Sequence, residues 1–396
     1  MAMFQKMRQL ISVLGMHNHR QRLRCFPNLF RCPTITGYPL TQFKPGEERN
    51  YLCTDSYLKR KKYKEICNAE AAENILDNMV TEKGDNSSLA VVHIDGNNMG
   101  ARIMEIIQSR KEYQDAVKTM RMISKNIHDS FSEAYSVMEK YIDEKIADRI
   151  KADRTGKLYR RLILAGDEVT FICNAKAALD AVTVYLEYVG TKKMYEDIGA
   201  SEEDNVQKYA FSACGGIAYF NSHFPFSDAY KVAEECCKNA KERAKKAENR
   251  DSNSNIGSFF DYQICNHISA ANLKSYRNKH YVVADGGKSI LMRPYYVNNV
   301  MLERISDLNQ RNERYNYKIL EKNIKFFRNS IPRSQAQKLK ECCSMGGQET
   351  DRYIAFLKSR RVSLMENEKQ YWYDALEIMD MYPEEEKNEV GDNSAE

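Results

Sequence analysis

The sequence predicts an α+β fold. Its core is a ferredoxin-like βαββαβ unit with a long insertion in the first helical connection, followed by a helical C-terminal segment. Three observations predict it. Short apolar runs at 89–95, 161–165, 169–173 and 209–220 have the length and residue types of buried strands. Helical patterns separate them in the order strand, helix, strand-turn-strand, helix, strand, helix. From residue 299 to 382 only helical periodicity remains.

Each element has its local reason. The run 89–95 ends abruptly in Asp95, and the turn Gly96-Asn97-Asn98-Met99-Gly100 leads into a helix. Met120, Ile123, Ile127, Phe131, Ala134, Met138 and Tyr141 then repeat at three- and four-residue steps, which predicts one buried face of a long helix ending near Gly156. Two β-like runs flank Gly166-Asp167, a hairpin signature. A helix is expected over 175–189, and a strand over 209–220 broken by Gly215-Gly216. Pro225 and Ser227 open a helix running to Ala247. Further strands are expected at 256–264, 281–283 and 291–297. Pro332 and Gly346-Gly347 break the helical C-terminal part.

The domain organisation expected is a mixed region over 1–85, the sheet domain over 86–300, a helical domain over 301–383 and a disordered acidic tail over 384–396. The first region holds four of the eight prolines and closes on the turn Lys83-Gly84-Asp85-Asn86. Its basic run Lys59-Arg60-Lys61-Lys62 reads as a solvated helix face. The tail holds six acids and one lysine, a net of −5 against +5 for the whole, so residues 1–383 carry +10. A modestly basic body suits phosphate-bearing ligands.

Eleven cysteines without regular spacing read as reduced thiols. Cys25, Cys32, Cys53 and Cys67 share a region but form no CxxC pair. No secretory signal and no run of about 18 apolar residues is visible, so a cytoplasmic protein without membrane partners is expected.

The chemistry concentrates on carboxylates. In the expected sheet the first and third strands are neighbours, so Asp95 at the end of one meets Asp167 and Glu168 at the start of the other. Like charges that close repel unless a cation bridges them, and carboxylate oxygens suit Mg²⁺ or Mn²⁺. Two such ions are the arrangement of phosphoryl and nucleotidyl transfer. Gly96 and Gly100 let backbone N–H groups approach a polyphosphate at a helix N-terminus.

These residues resemble a known group. Asp95-Gly96-Asn97-Asn98-Met99-Gly100, Ala165-Gly166-Asp167-Glu168 and Gly216-Ile217-Ala218 are similar to the nucleotide-cyclase palm superfamily. Within it the pattern resembles the second palm domain of the polymerase-like large subunit of type III CRISPR complexes, over residues 86–300. Three later segments carry the choice. They are Pro225-Phe226-Ser227 leading to Ala233-Glu234-Glu235 and Ala240-Lys241, then 255–260, then Leu291-Met292-Arg293-Pro294-Tyr295. Diguanylate cyclases share the palm, but Ala165 and Val169 replace the first and last residues of their Gly-Gly-Asp-Glu-Phe loop.

The resemblance implies roles. Asp95 matches the first metal-binding and catalytic aspartate, with the Gly96 carbonyl beside it. Asn97 stands where a second acid is usual. Asn98, Met99 and Gly100 match the triphosphate cradle. Asp167 matches the loop's metal ligand and Glu168 the adjacent acid, with Gly166 preceding them at the nucleotide. Lys241 matches the lysine that reaches the phosphates. The implied activity is two-metal joining of nucleoside triphosphates, ATP foremost, into a cyclic or linear oligonucleotide signal in antiviral defence. The implied partners are a homodimer mate or effector-complex subunit, with RNA as an activator. The rival expectation is a non-catalytic nucleotide-binding or scaffold palm.

Other residues read as structural. His128-Asp129 spells a phosphohydrolase dipeptide but lacks partner histidines. His93, inside a strand, is expected to pack or hydrogen-bond. Tyr371-Trp372-Tyr373 is expected to cap the core.

Overall fold

The computed structural model describes residues 42–43, 51–52, 58, 61–62, 79, 88–150, 157–265, 273–283, 287–303, 305–365 and 369–383. The four N-terminal cysteines, the turn at 83–86, Gly156 and the acidic tail lie outside the described residues. The chain divides into two compact units, Met1–Ile75 and Leu76–Glu396. In the first, β1 (Gln42–Phe43) pairs antiparallel with β2 (Tyr51–Leu52). Lys61 and Lys62 of the basic run are exposed.

The second unit is a mixed α/β structure around a six-stranded sheet. Its strands are β3 (Ser88–Gly96), β4 (Tyr159–Ala165), β5 (Glu168–Asn174), β6 (Ala213–Asn221), β7 (Ser258–Ile264) and β8 (Tyr295–Val297). Their order is β4-β5-β3-β6-β7-β8. Neighbours run antiparallel except β6 and β7, which are parallel. The first and third strands of the unit, β3 and β5, are therefore side by side. Strand β3 is apolar along its length because both its faces are covered. Ala90, Val92 and Ile94 enter the main core, and His93 on the other face meets Tyr230 edge-on.

Helix α1 (Met99–Gln108) follows β3, and α2 (Tyr113–Tyr141) is 29 residues long. The buried stripe of α2 runs Thr119, Ile123, Ile127, Phe131, Ala134 and Met138. Met120, expected in that stripe, is exposed because Thr119 holds the phase that faces the core. A π-helical stretch, Ile142–Ile146, continues the helix and buries Ile142 and Ile146. Helix α3 (Ala178–Val189) packs beside α2, where Tyr185 donates to the Phe131 carbonyl at 3.0 Å. His128 and Asp129 lie on the exposed side of α2.

The expected strand over 209–220 begins later. Residues 202–209 form α4 (Glu202–Tyr209), capped by the Ser201 hydroxyl on the Asp204 amide, and β6 starts at Ala213. Helix α5 (Phe226–Ala244) covers the other face of the sheet, against β6, β7 and β3. Helix α6 (Leu273–His280) lies between β7 and β8. The expected strand at 281–283 is a single bridge, Val282 to Ser289.

The C-terminal part is helical: α7 (Leu308–Arg311), α8 (Tyr317–Ser330), α9 (Arg333–Met345), α10 (Gly347–Ser359) and α11 (Trp372–Ile378). Pro332 caps α9, and Gly346 at φ 138° turns the chain into α10. Leu320, Ile324, Phe327 and Trp372 share one hydrophobic core with Tyr185, Tyr262 and Tyr295. Tyr371 and Trp372 are buried there, and Trp372 meets Phe327 edge-on at 5.6 Å. None of the helices among the described residues is long and apolar enough to cross a membrane.

Candidate active site

The site forms where β3 ends. Asp95 stands opposite Glu168 of β5 and Cys214 of β6 in the sheet register. The β4–β5 hairpin turns through Gly166 at φ 67°, a conformation that favours glycine, and this turn carries Asp167. The Asp167 carboxylate reaches back over the end of β3. A Cβ on Gly96 would lie 2.7 Å from Asp167 Oδ2 and 2.6 Å from Met99 Cε. The space a Gly96 side chain would take is filled by the ends of the Asp167 and Met99 side chains.

The third component comes from α5. Lys241 Nζ donates to the Gly96 carbonyl at 2.9 Å and pairs with Asp95 Oδ2 at 2.6 Å. The helix delivers the lysine because it lies directly on β6, which has a glycine at the crossing point. Asp95, Gly96, Asp167, Glu168 and Lys241, spread over 147 positions of sequence, therefore converge on one corner.

Burial pushes the Asp167 carboxyl above the usual aspartate range, and the Asp95 charge adds to the rise while Lys241 opposes it. His93 is lowered by burial, although Glu168, Asp95 and Glu234 pull the other way. As expected, its ring hydrogen-bonds, with Nδ1 3.0 Å from the Thr170 hydroxyl. Tyr230 is pushed up to about 12 by burial and its hydrogen bond to Glu234. The three α5 residues on this face, Tyr230, Glu234 and Lys241, are spaced by four and seven. That helical spacing was available in the sequence as a signal for the first two.

The cradle residues divide. Asn98 is exposed, takes a left-handed φ of 54° and precedes α1 without a side-chain cap. Gly100 is exposed with open space where a side chain would stand, and Ala101 beside it is exposed too. Met99 is buried. Asn97 is 2% exposed, and its amide donates to Ser212 Oγ at 3.2 Å and the Gly257 carbonyl at 3.1 Å. Its side chain ties the loops before β6 and β7 together.

Two carboxylates and a main-chain carbonyl form an all-oxygen donor set, and the lysine ammonium already sits on one of the carboxylates, Asp95, and on the Gly96 carbonyl. That chemistry fits a hard divalent ion. Among the described residues no group of three or more His, Cys, Asp or Glu side chains is placed to hold a metal. Mg²⁺ commonly binds through one or two carboxylates and completes its shell with substrate phosphates and water.

Residues 88–253 match the family model of Cas10/Cmr2, second palm domain. The match covers less than half of the chain and speaks for that part alone. This part resembles the palm of the type III CRISPR large subunit, a polymerase- and cyclase-like module of nucleotidyltransferase type. Palm domains of that type generally use divalent metals. No curated protein matches the chain.

Proposed function

We propose that the chain is a metal-dependent nucleotidyltransferase that joins nucleoside triphosphates, ATP foremost, into a cyclic or linear oligonucleotide in antiviral defence. One observation carries the reading: the Lys241 ammonium sits on Asp95 and the Gly96 carbonyl, with the Asp167 carboxylate against Gly96. A corner with that charge pattern suits a cation and a triphosphate together. The strand order β4-β5-β3-β6, with α2 and α3 on one face, supports reading the unit as a ferredoxin-like palm.

In this reading Asp95, the Gly96 carbonyl and Asp167, with Glu168 beside them, would hold two Mg²⁺ or Mn²⁺ ions. Bound there, such ions supply charge neutralisation at the α-phosphate and acidify a ribose 3′-hydroxyl. The 3′-oxygen forms a bond to the α-phosphorus, and the bond to the bridging oxygen breaks. Pyrophosphate leaves and the hydroxyl proton passes to solvent. Lys241 and the backbone amides of Asn98, Met99 and Gly100 orient the triphosphate. Gly166 keeps the hairpin tip slim where the nucleotide approaches. A second copy or an effector-complex subunit presents the other nucleotide.

A second reading, a non-catalytic nucleotide-binding or scaffold palm, draws on Asn97. It occupies the place of an acid and its side chain is committed to Ser212 and Gly257. Incubation with each NTP and Mg²⁺ or Mn²⁺, with and without RNA, followed by mass spectrometry, separates the two. Linked nucleotides and pyrophosphate are expected from ATP. No product from any NTP under any condition leaves the second reading.

A further inference from the structure

The ammonium of Lys241 donates to the same two oxygens, Asp95 Oδ2 and the Gly96 carbonyl, that the reading above gives to a divalent ion. Both occupants need the lone pairs of those oxygens, and two cations a few ångströms apart repel. We propose that Lys241 is a tethered counter-ion that keeps free divalent metal off this corner, so that metal enters only together with a triphosphate. The inference rests on the proposed assignment of Asp95 and Gly96, and it defines the ligand as the metal–nucleotide complex.

Three features support it. First, the pair is only half withdrawn from water: the Lys241 side chain is 21% exposed and that of Asp95 40%. Such a pair is held modestly. It can compete with a divalent ion that finds only two carboxylates and a carbonyl, and it can yield once that ion arrives with phosphate oxygens.

Second, the ammonium has somewhere to go. A triphosphate at the exposed Gly100 where α1 begins would place anionic oxygens beside it, and a lysine donates equally well to phosphate. The exchange trades one anionic partner for another and strands no charge.

Third, the motion is confined to the side chain. The backbone of α5 is fixed on β6, since a Cβ at Gly216 would lie 2.0 Å from the Ala233 carbonyl. The lysine can swing between partners while its helix stays in place.

The test uses Mn²⁺ as probe, counted by electron paramagnetic resonance on the full chain. Wild type should bind Mn²⁺ weakly alone and tightly with a non-hydrolysable ATP analogue. Lys241→Met keeps the stem and removes the charge. It should bind Mn²⁺ alone about fivefold more tightly than wild type, the upper end of the effect of removing one partly screened ion-pair partner. Adding Asp95→Asn to Lys241→Met should abolish the gain. Lys241→Gln serves the same purpose if the Met variant does not give a cooperative melting curve. Equal Mn²⁺ affinity in folded wild type and both lysine variants overturns the proposal. So does a gain that survives Asp95→Asn. These readouts need no turnover. If the lysine variants gain Mn²⁺ affinity and no NTP yields pyrophosphate, the counter-ion role stands and only the catalytic reading falls.

Discussion

A methyl group at Gly216 would stand 2.0 Å from the Ala233 carbonyl oxygen, so β6 and α5 meet backbone to backbone. The contact is eight residues, about two helical turns, before Lys241. Helix-to-sheet distance at this point therefore sets where the lysine ammonium falls relative to Asp95. Gly216→Ala must lift α5, since the clashing atoms belong to the helix main chain. The expected cost is about 1–3 kcal/mol, the range of overpacking. NTP affinity should fall with it, beyond what the stability loss explains. Urea unfolding and nucleotide titration on the same preparation check this, and an unchanged midpoint would contradict the close contact.

Nucleotide binding should require metal. One lysine charge cannot offset Asp95, Asp167 and a triphosphate together, so a further cation is needed when the nucleotide binds. NTP should raise the melting temperature with Mg²⁺ or Mn²⁺ present and leave it unchanged in excess chelator. An equal rise in chelator would mean that nucleotide binds without metal at Asp95 and Asp167.

Asp167→Asn separates chemistry from folding. The residue sits on a hairpin turn, where its carboxyl is already pushed up by burial and by Asp95. The amide relieves that repulsion, so metal-free stability should hold or rise slightly. Pyrophosphate release should fall by orders of magnitude. Unchanged turnover in the folded variant would refute the assignment.

Asp180 predicts a pH dependence. It lies buried on α3, with Arg149 Nη1 3.7 Å from Oδ2, and Glu321, Lys325 and Tyr382 also facing it. Burial raises its carboxyl to about 6, with Arg149 opposing. The folded state thus keeps a proton that the unfolded chain, at about 3.9, has lost. This contribution is greatest below pH ~4, declines as pH rises to ~6 and is flat above. Asp180→Asn should gain about 1–2 kcal/mol at pH 7 relative to wild type and nothing at pH 4. Paired urea curves at the two pH values measure the difference. A gain equal at both would rule out the titration.

What the sequence made legible follows from local physics. Strands β3 and β5 are apolar runs cut off by acids, and a two-residue Gly-Asp turn leaves the hairpin little choice of register. That placed Asp95 beside Asp167 and Glu168. The breaks at Pro332 and Gly346 were legible for the same reason: both residues restrict or free φ in ways no partner can override. Helix α4 was hidden because its Glu-Glu-Asp start is polar and Tyr209 joins the following apolar run. The role of Asn97 was hidden too. Its partners, Ser212 and the Gly257 carbonyl, are 115 and 160 residues away, and no local pattern announces them. That the side chains of Met99 and Asp167 fill the space beside Gly96 was also hidden, because Asp167 is 71 residues away.

Helix α11 is held to the sheet by buried charge. Arg293, fully buried before β8, faces three acids: Asp261 of β7 at 3.9 Å, Asp374 of α11 at 3.4 Å, and Glu377 of α11, to which it donates a short hydrogen bond. Its guanidinium lies over the Tyr262 ring at 4.1 Å. Asp261 is also gripped by Arg277 at 2.7 Å, and Asp374 Oδ2 accepts from the Met292 and Arg293 amides and the Tyr295 hydroxyl. Arg293→Met keeps the apolar stem and leaves Asp374 and Glu377 without their cation. Breaking a buried pair from one side costs about 3–5 kcal/mol, because the remaining charge is uncompensated. The loss should appear first as faster amide exchange along α11, since the acids there lose their tie to the sheet. Asp261 keeps Arg277, so exchange in β7 should change less. Adding Glu377→Gln to Arg293→Met removes one stranded charge and should recover part of the stability, a non-additivity that a double-mutant cycle reads directly. Additive losses, or exchange that rises equally in β7 and α11, would mean that Arg293 acts by packing on Tyr262 and not by holding α11 through charge.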